Sequence, residues 1–256
     1  LDVPVGMLRT CWGGSSVRAG VSREVISEYR EVDLEEVDIT HRTNHVPTAL
    51  FNAMIHPLIP YTFRGALWYQ GESNRTEPGE YLELFPAMVR DWRARWGFGE
   101  FPFYYAQIAP YWYNDPEAFS TVQNSAFIRE AQLECATLIP NSGIAITLDI
   151  GDNYCIHPPK KKEVAERLLY NALGQTYGFE DIDGRSPVFD SMEIDEGAVI
   201  LSFSHAENGL YAFDGLSDFE IAGEDRVFYP AEAEIVNRSR VRVESGEVPS
   251  PVAVRY

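Results

Sequence analysis

The residues of this chain that could do chemistry fall into four short clusters. The densest is Trp68-Tyr69-Gln70-Gly71-Glu72-Ser73-Asn74, at the end of an apolar run. A turn there needs only Gly and Asn, so Gln70 and Glu72 exceed what the backbone requires and mark a candidate site. A second cluster, Asp149-Ile150-Gly151-Asp152 followed by Ile156-His157-Pro158, holds a histidine close after two acids. Hydrolytic triads need a base whose tautomer a carboxylate fixes, and this one segment offers both. The third, Trp12-Gly13-Gly14-Ser15-Ser16, pairs two glycines. It reads first as a tight turn, although its N–H groups could also face an anion. The fourth, Arg129-Glu130-Ala131-Gln132, reads as a surface ion pair on a helix.

Elements of alternating type must position these clusters. Val3–Cys11, Gly65–Tyr69, Phe101–Ile108 and Gly143–Ile150 are short, apolar and rich in branched or aromatic residues, which predicts strands. Helical periodicity runs through Tyr81–Trp96, Asn124–Leu138 and Glu163–Tyr177, with Gly97 and Gly178 where C-terminal caps belong. Strand and helix in alternation predict a mainly parallel sheet, with ligands at the carboxyl ends of its strands. After Gly178 the helical period stops. The runs Val199–Phe203, Phe219–Ala222, Arg226–Tyr229, Ala233–Val236 and Arg240–Val243, punctuated by turn residues, predict a small antiparallel β domain.

Composition narrows the function classes. The chain has 256 residues and a net charge of -18, so a basic, phosphate-neutralising surface is excluded. Lys160–Lys162 reads as the solvated first turn of a helix. No apolar stretch is long enough to span a membrane as a helix. Cys11, Cys135 and Cys155 are widely spaced, which argues for free thiols and against a zinc site. Aromatic residues make up 13% of the chain, which suits a sugar-handling surface and equally a large core.

Taken in order, the motifs resemble those of the sialate O-acetylesterases. Trp12-Gly13-Gly14-Ser15, Leu50-Phe51-Asn52-Ala53-Met54-Ile55 with Pro57-Leu58, and Trp68 to Asn74 carry the similarity. So do Leu84-Phe85-Pro86, Arg90-Asp91-Trp92-Arg93, Phe101-Pro102-Phe103 with Gln107, and the Arg129, Asp149 and His157 clusters. The tail from Gly223-Glu224-Asp225 through Phe228-Tyr229-Pro230-Ala231 to Val252–Tyr256 continues it. The resemblance implies a flavodoxin-like three-layer α/β/α SGNH hydrolase domain over residues 1–178, incomplete, followed by a small β-rich domain over 179–256. It implies a serine acyl-enzyme that removes acetyl groups from sugar hydroxyls, of sialic acid or a plant polysaccharide. No metal or cofactor and no nucleic-acid or membrane partner is expected. The setting it suggests is secreted, periplasmic or lysosomal.

Carried over residue by residue, His157 is the general base, and Asp149 or Asp152 orients it. Gln70 and an N–H around Gly14 stabilise the oxyanion. Asn74 belongs to the same substrate-binding turn, and Glu72 braces it. Arg75 is the expected partner of a sialate carboxylate. The chain departs from the family at Arg18-Ala19-Gly20, where Glu-Ala-Trp is common, and at Tyr154-Cys155-Ile156, which has no acid before the histidine. The family's Gly-Gln-Ser-Asn nucleophile segment is absent, and the chain opens at Leu1 without an initiator Met. The expectation is therefore a chain truncated at both ends, with its nucleophile elsewhere and little activity in isolation. Two other readings remain: a silent relative that binds sugar on Trp12, Trp68 or Tyr111, and a glycosidase using Glu72 with Asp149 or Asp152.

Overall fold

The computed structural model describes residues 3–29, 38–113 and 125–256. The chain divides into two compact units, Leu1–Gly184 and Arg185–Tyr256.

Three short parallel strands form the sheet of the first unit, in the order β1 (Ala66–Tyr69), β2 (Phe103–Ala106) and β3 (Ser142–Ala145). Leu67 pairs with Tyr104, and Tyr104 with Gly143. All four residues of the central strand are buried, so its sequence is a continuous apolar run and does not alternate. Helices α2 (Pro78–Trp96), α3 (Ser125–Leu138) and α4 (Lys161–Asn171) lie between and after the strands, following a shorter α1 (Arg23–Tyr29). In α2, Pro78 occupies the first turn, where a missing N–H costs nothing. Tyr81, Leu84, Phe85, Met88 and Trp92 form its buried stripe. Gly97 closes it at φ 71°, a conformation glycine reaches without a Cβ clash.

Much of the aromatic content is spent on this core. The Phe85 ring lies 5.0 Å from Tyr105, 5.9 Å from Trp68 and 5.8 Å from Phe103. Truncating a ring so placed costs roughly 3–5 kcal/mol.

Several expectations are corrected. Val3–Cys11 forms no strand: Val3, Val5, Met7 and Leu8 are exposed, and a strand without a ladder partner has nothing to fix it. Among the described residues no strand pairs with the edge of β1 that faces away from β2, and Leu67 on it is 67% exposed. The run to Ile150 stops pairing at Ala145 and enters a 3₁₀ turn at Leu148–Ile150. The helix expected over Glu163–Tyr177 ends at Asn171 and passes into a π-helical turn, Ala172–Thr176. Asn124, where a helix was expected to start, lies outside the described residues. The helical turns between Val17 and Leu58 were not expected.

The second unit is antiparallel. A four-stranded sheet has the order β4 (Val188–Asp195), β5 (Ala198–Ser204), β9 (Arg240–Glu244), β8 (Glu232–Asn237). A three-stranded sheet has the order β10 (Ala253–Arg255), β6 (Glu220–Ala222), β7 (Phe228–Pro230). Val199, Leu201, Val241 and Val243 pack with Phe219, Ile221 and Val248 as its core. β4 was not expected, because all eight of its residues are exposed and no burial alternation marks it. It joins β5 through Glu196-Gly197, both at positive φ (46° and 85°), as a two-residue hairpin turn requires. Among the described residues no helix is long and apolar enough to cross a membrane.

Candidate active site

β1 and β3 lead into polar loops, β2 into an aromatic one that opens on Gln107, and hydrogen bonds tie these loops together. Gln70, directly after β1, is buried. Its Nε2 donates to Ser15 O at 2.8 Å and to Asn74 Oδ1 at 2.7 Å. Asn74 is fully buried; its Oδ1 also accepts Val17 N–H at 3.0 Å, and its Nδ2 donates to Ser16 Oγ at 3.3 Å. Ser73 Oγ donates to Gly14 O at 2.9 Å, and Asn44 Nδ2 to Gly13 O at 3.0 Å. The Gly13-Gly14 turn is thereby fixed to the β1 turn. Gly14 sits at φ 68°, which explains the glycine, and its N–H has no acceptor among the described residues.

Gln132, which the sequence suggested only as part of a surface ion pair, is fully buried and central. Its Nε2 donates to Gln70 O at 3.0 Å, its Oε1 accepts Ile108 N–H at 2.9 Å, and its carbonyl accepts the Tyr105 hydroxyl at 2.7 Å. One α3 side chain thus joins the ends of β1 and β2. Gly71 makes room for it: a Cβ there would stand 2.7 Å from Gln132 Nε2 and 2.6 Å from Ile108 Cγ2. A polar residue at a buried helical position was the available signal for Gln132. The ion-pair expectation for Arg129 is corrected as well, since among the described residues no carboxylate lies within ion-pair distance of it.

The loop after β3 is arranged differently. Gly151 packs where a Cβ would come 2.4 Å from Pro110 Cδ, and Trp112 N–H donates to Asn153 O at 2.9 Å. Asp149 is held by Arg167, both carboxylate oxygens lying 2.6 Å from guanidinium nitrogens. These bonds keep its carboxyl below the usual aspartate range, against a smaller opposing effect of burial. Asp152 Oδ1 accepts Tyr154 N–H at 2.8 Å. His157 is exposed, and its ring has no hydrogen-bond partner among the described residues. Neither acid of the loop touches it.

Glu72 is the acid that feels His157. Burial raises its carboxyl above the usual glutamate range, while its own backbone, Lys161 and His157 oppose the rise. Lys161 Nζ lies 5.1 Å from the centre of the Tyr69 ring. Burial first, and then the nearby Glu72 charge, push the Tyr69 and Tyr113 hydroxyls up to about 12. The structure thus brings Gln70, Asn74 and Gly14 into one frame and leaves Glu72 within electrostatic reach of His157. It leaves Asp149 in a separate ion pair. Of the other candidates, Trp68 packs against the core, Trp12 is half-exposed, and the three cysteines are free.

A parallel-sheet unit with polar loops gathered at strand carboxyl ends has the layout of an α/β enzyme. The profile of a family described as "Carbohydrate esterase, sialic acid-specific acetylesterase" matches residues 2–169. The curated sialate O-acetylesterase of Homo sapiens is 29% identical over 76% of this chain and 40% of its own length. That of Mus musculus is 26% identical over 87% of this chain and 48% of its own. The crystal structure of a carbohydrate acetylesterase from Xanthomonas citri superposes with a TM-score of 0.80 at 34% identity, covering 96% of this chain and 54% of the other. This chain belongs to the carbohydrate esterase family of sialic acid-specific acetylesterases. It spans less than half the length of these two curated relatives.

Proposed function

We propose that this chain forms part of a carbohydrate O-acetylesterase of SGNH type that works through a serine acyl-enzyme, with His157 as general base. The observation that carries the reading is the frame at the carboxyl end of β1, where Gln70, Ser73 and Asn74 hold the turn of Gly13 to Val17 and Gly14 N–H has no acceptor among the described residues. A fixed N–H aimed where charge develops stabilises a tetrahedral oxyanion without reorganising. Both Nε2 hydrogens of Gln70 are engaged, so Gln70 acts here as a positioning residue and Gly14 N–H as the donor.

In the first step the serine oxygen attacks the acetyl carbonyl while His157 takes the serine proton. The tetrahedral intermediate collapses, and His157 returns that proton to the departing sugar oxygen. Water then repeats the sequence on the acetyl-enzyme and releases acetate. Asp152, with one carboxylate oxygen uncommitted among the described residues, is freer to turn toward the imidazole than Asp149, which Arg167 holds.

The nucleophile lies outside these 256 residues. Ser15 Oγ donates to Trp12 O, Ser73 Oγ to Gly14 O, and buried Ser16 accepts from Asn74. No serine of the glycine turns pairs with His157. The test is to assay the isolated chain on p-nitrophenyl acetate and to probe it with a fluorophosphonate. No turnover and no adduct are expected, with both restored in the complete protein. Labelling of Ser73 that is lost in His157→Ala would place the nucleophile here instead. A complete protein that binds acetylated sugars without turnover would make this a silent relative.

A further inference from the structure

Aromatic rings in the first unit are mostly spent inside: Tyr81, Phe85, Phe103 and Tyr105 are fully buried. One pair is not. Trp112 and Tyr154 are 49% and 82% exposed, with ring centres 6.2 Å apart and planes inclined at 51°. Among the described residues it is the one ring pair with both members exposed. Trp112 lies in the loop after β2 and Tyr154 in the loop after β3, both at strand carboxyl ends, where α/β units bind ligands. Tyr111, an expected sugar platform, instead packs half-buried and edge-on against Tyr113 at 4.8 Å.

Backbone hydrogen bonds hold the pair in place. Trp112 N–H donates to Asn153 O at 2.9 Å, Tyr154 N–H to Asp152 Oδ1 at 2.8 Å, and Cys155 N–H to Asp152 O at 3.2 Å. Gly151 lets Pro110 pack against the same loop, since a Cβ there would come 2.4 Å from Pro110 Cδ. Cys155 Sγ donates to His157 O at 3.2 Å, so the segment that fixes Tyr154 also carries the candidate base. Three residues of chain lead from Tyr154 to His157, which bounds their Cα separation at about 11 Å. Two large rings fixed in water, bordered by Asp152 and Asn153, are what a ligand surface requires and a folding core does not.

We infer that Trp112 and Tyr154 form a stacking platform for a pyranose ring of the acetylated glycan, on the loops that lead to His157. The inference rests on the esterase reading and deepens it: it names how the sugar is held and which side chains separate a glycoside from a simple acetyl ester. A pyranose carries hydroxyls around its rim and C–H groups on its faces. Laid on an aromatic ring, one face leaves water while the rim hydroxyls stay free for water, Asp152 or Asn153. Recognition of this kind needs no charge on the sugar.

The test uses the complete protein. Hydrolysis of methyl tri-O-acetyl-β-xylopyranoside is compared with that of p-nitrophenyl acetate, which has no sugar ring. Trp112→Ala should lower the ratio of the two kcat/KM values about tenfold to a hundredfold, through KM for the sugar ester, the loss expected when a contact aromatic is truncated. Tyr154→Ala should lower it less. Trp112→Phe and Tyr154→Phe should keep most of it, because a ring remains. Binding is read separately by titrating xylobiose, which should shift tryptophan emission in the wild-type protein and not in Trp112→Phe. If Trp112→Ala melts lower, Tyr154→Ala decides, since its ring is 82% exposed. A ratio unchanged in the alanine variants overturns the platform, and so does a xylobiose shift that persists in Trp112→Phe. Turnover of both esters with the ratio untouched and no xylobiose shift sinks only the platform. A Trp112-dependent shift without turnover of either ester sinks only the reaction.

Discussion

The turn after β1 and the loop after β3 are built in opposite ways. In the first, buried amides are cross-bonded until the backbone has one position. Among the described residues the side chains of Gln70, Asn74 and Gln132 make six hydrogen bonds, to one another, to the Gln70 carbonyl, and to Ser15, Ser16, Val17 and Ile108. In the second, the histidine ring is exposed and has no hydrogen-bond partner among the described residues, and one of two acids is turned toward Arg167. An oxyanion donor must not move as charge develops, whereas a base has to exchange protons with nucleophile, leaving group and water. Under the proposed roles, rigidity lies with the part that would gain from it.

The sharpest way to break this contrast is at the base. In the complete protein, His157→Ala should lower kcat by several orders of magnitude and leave the melting temperature unchanged, since an exposed ring holds nothing together. Retention of more than about a tenth of kcat removes His157 from the mechanism. The two acids of the loop separate next. Asp152→Asn should cost roughly 10²–10⁴ in kcat if it fixes the imidazole, whereas Asp149→Asn should change kcat by less than about tenfold. Asp149 instead carries a stability signature. Its folded carboxyl lies below its ordinary value, so its contribution is complete above the usual aspartate range and fades as pH falls below about 4. With the side chain 64% exposed, that contribution stays under about 1 kcal/mol, readable as an acid shoulder in denaturation midpoints that Asp149→Asn abolishes. The opposite assignment holds if Asp149→Asn is the variant that loses kcat.

On the rigid side, Gln70→Ala should lower both kcat and stability. Ser15 O and Asn74 Oδ1 lose their donor, and the Gly14 N–H loses its aim. A drop of roughly 10²–10³ in kcat with little change in KM is expected, together with a lower melting temperature. A raised KM alone would make Gln70 a substrate contact. The smallest effect concerns Glu72. Burial raises its folded carboxyl above the ordinary value, so its favourable contribution is present below the usual glutamate range and is lost as pH rises through the folded value. Glu72→Gln should therefore melt no lower than wild type at pH 7, with any advantage closing toward about pH 4. A variant less stable at pH 7 would show that Lys161 and His157 outweigh burial.

The periodic elements were legible in the sequence because their signal is local. Tyr81, Phe85, Met88 and Trp92 announce α2 at steps of three and four, and β2 announces itself as an unbroken apolar run. Gln70 and Glu72 stand out as polar residues beside a strand-end glycine, and His157 as a histidine close after two acids. What the sequence did not reveal depends on contacts distant along the chain. Arg167 captures Asp149 from 18 residues away, and Gln132 reaches Gln70 across 62. Val3–Cys11 read as a strand because its composition suits one, yet strand formation needs a partner, which composition does not encode.

The edge of β1 that no described strand covers has a practical consequence. It presents open backbone donors and acceptors with Leu67 outward, and in the same unit Val3, Val5 and Met7 are exposed. Exposed strand edges flanked by branched apolar residues template pairing between molecules. Produced alone, residues 1–256 should accumulate as insoluble material that worsens with concentration. Leu67→Lys, placing charge beside that edge, should raise soluble yield without touching the frame around Gly14.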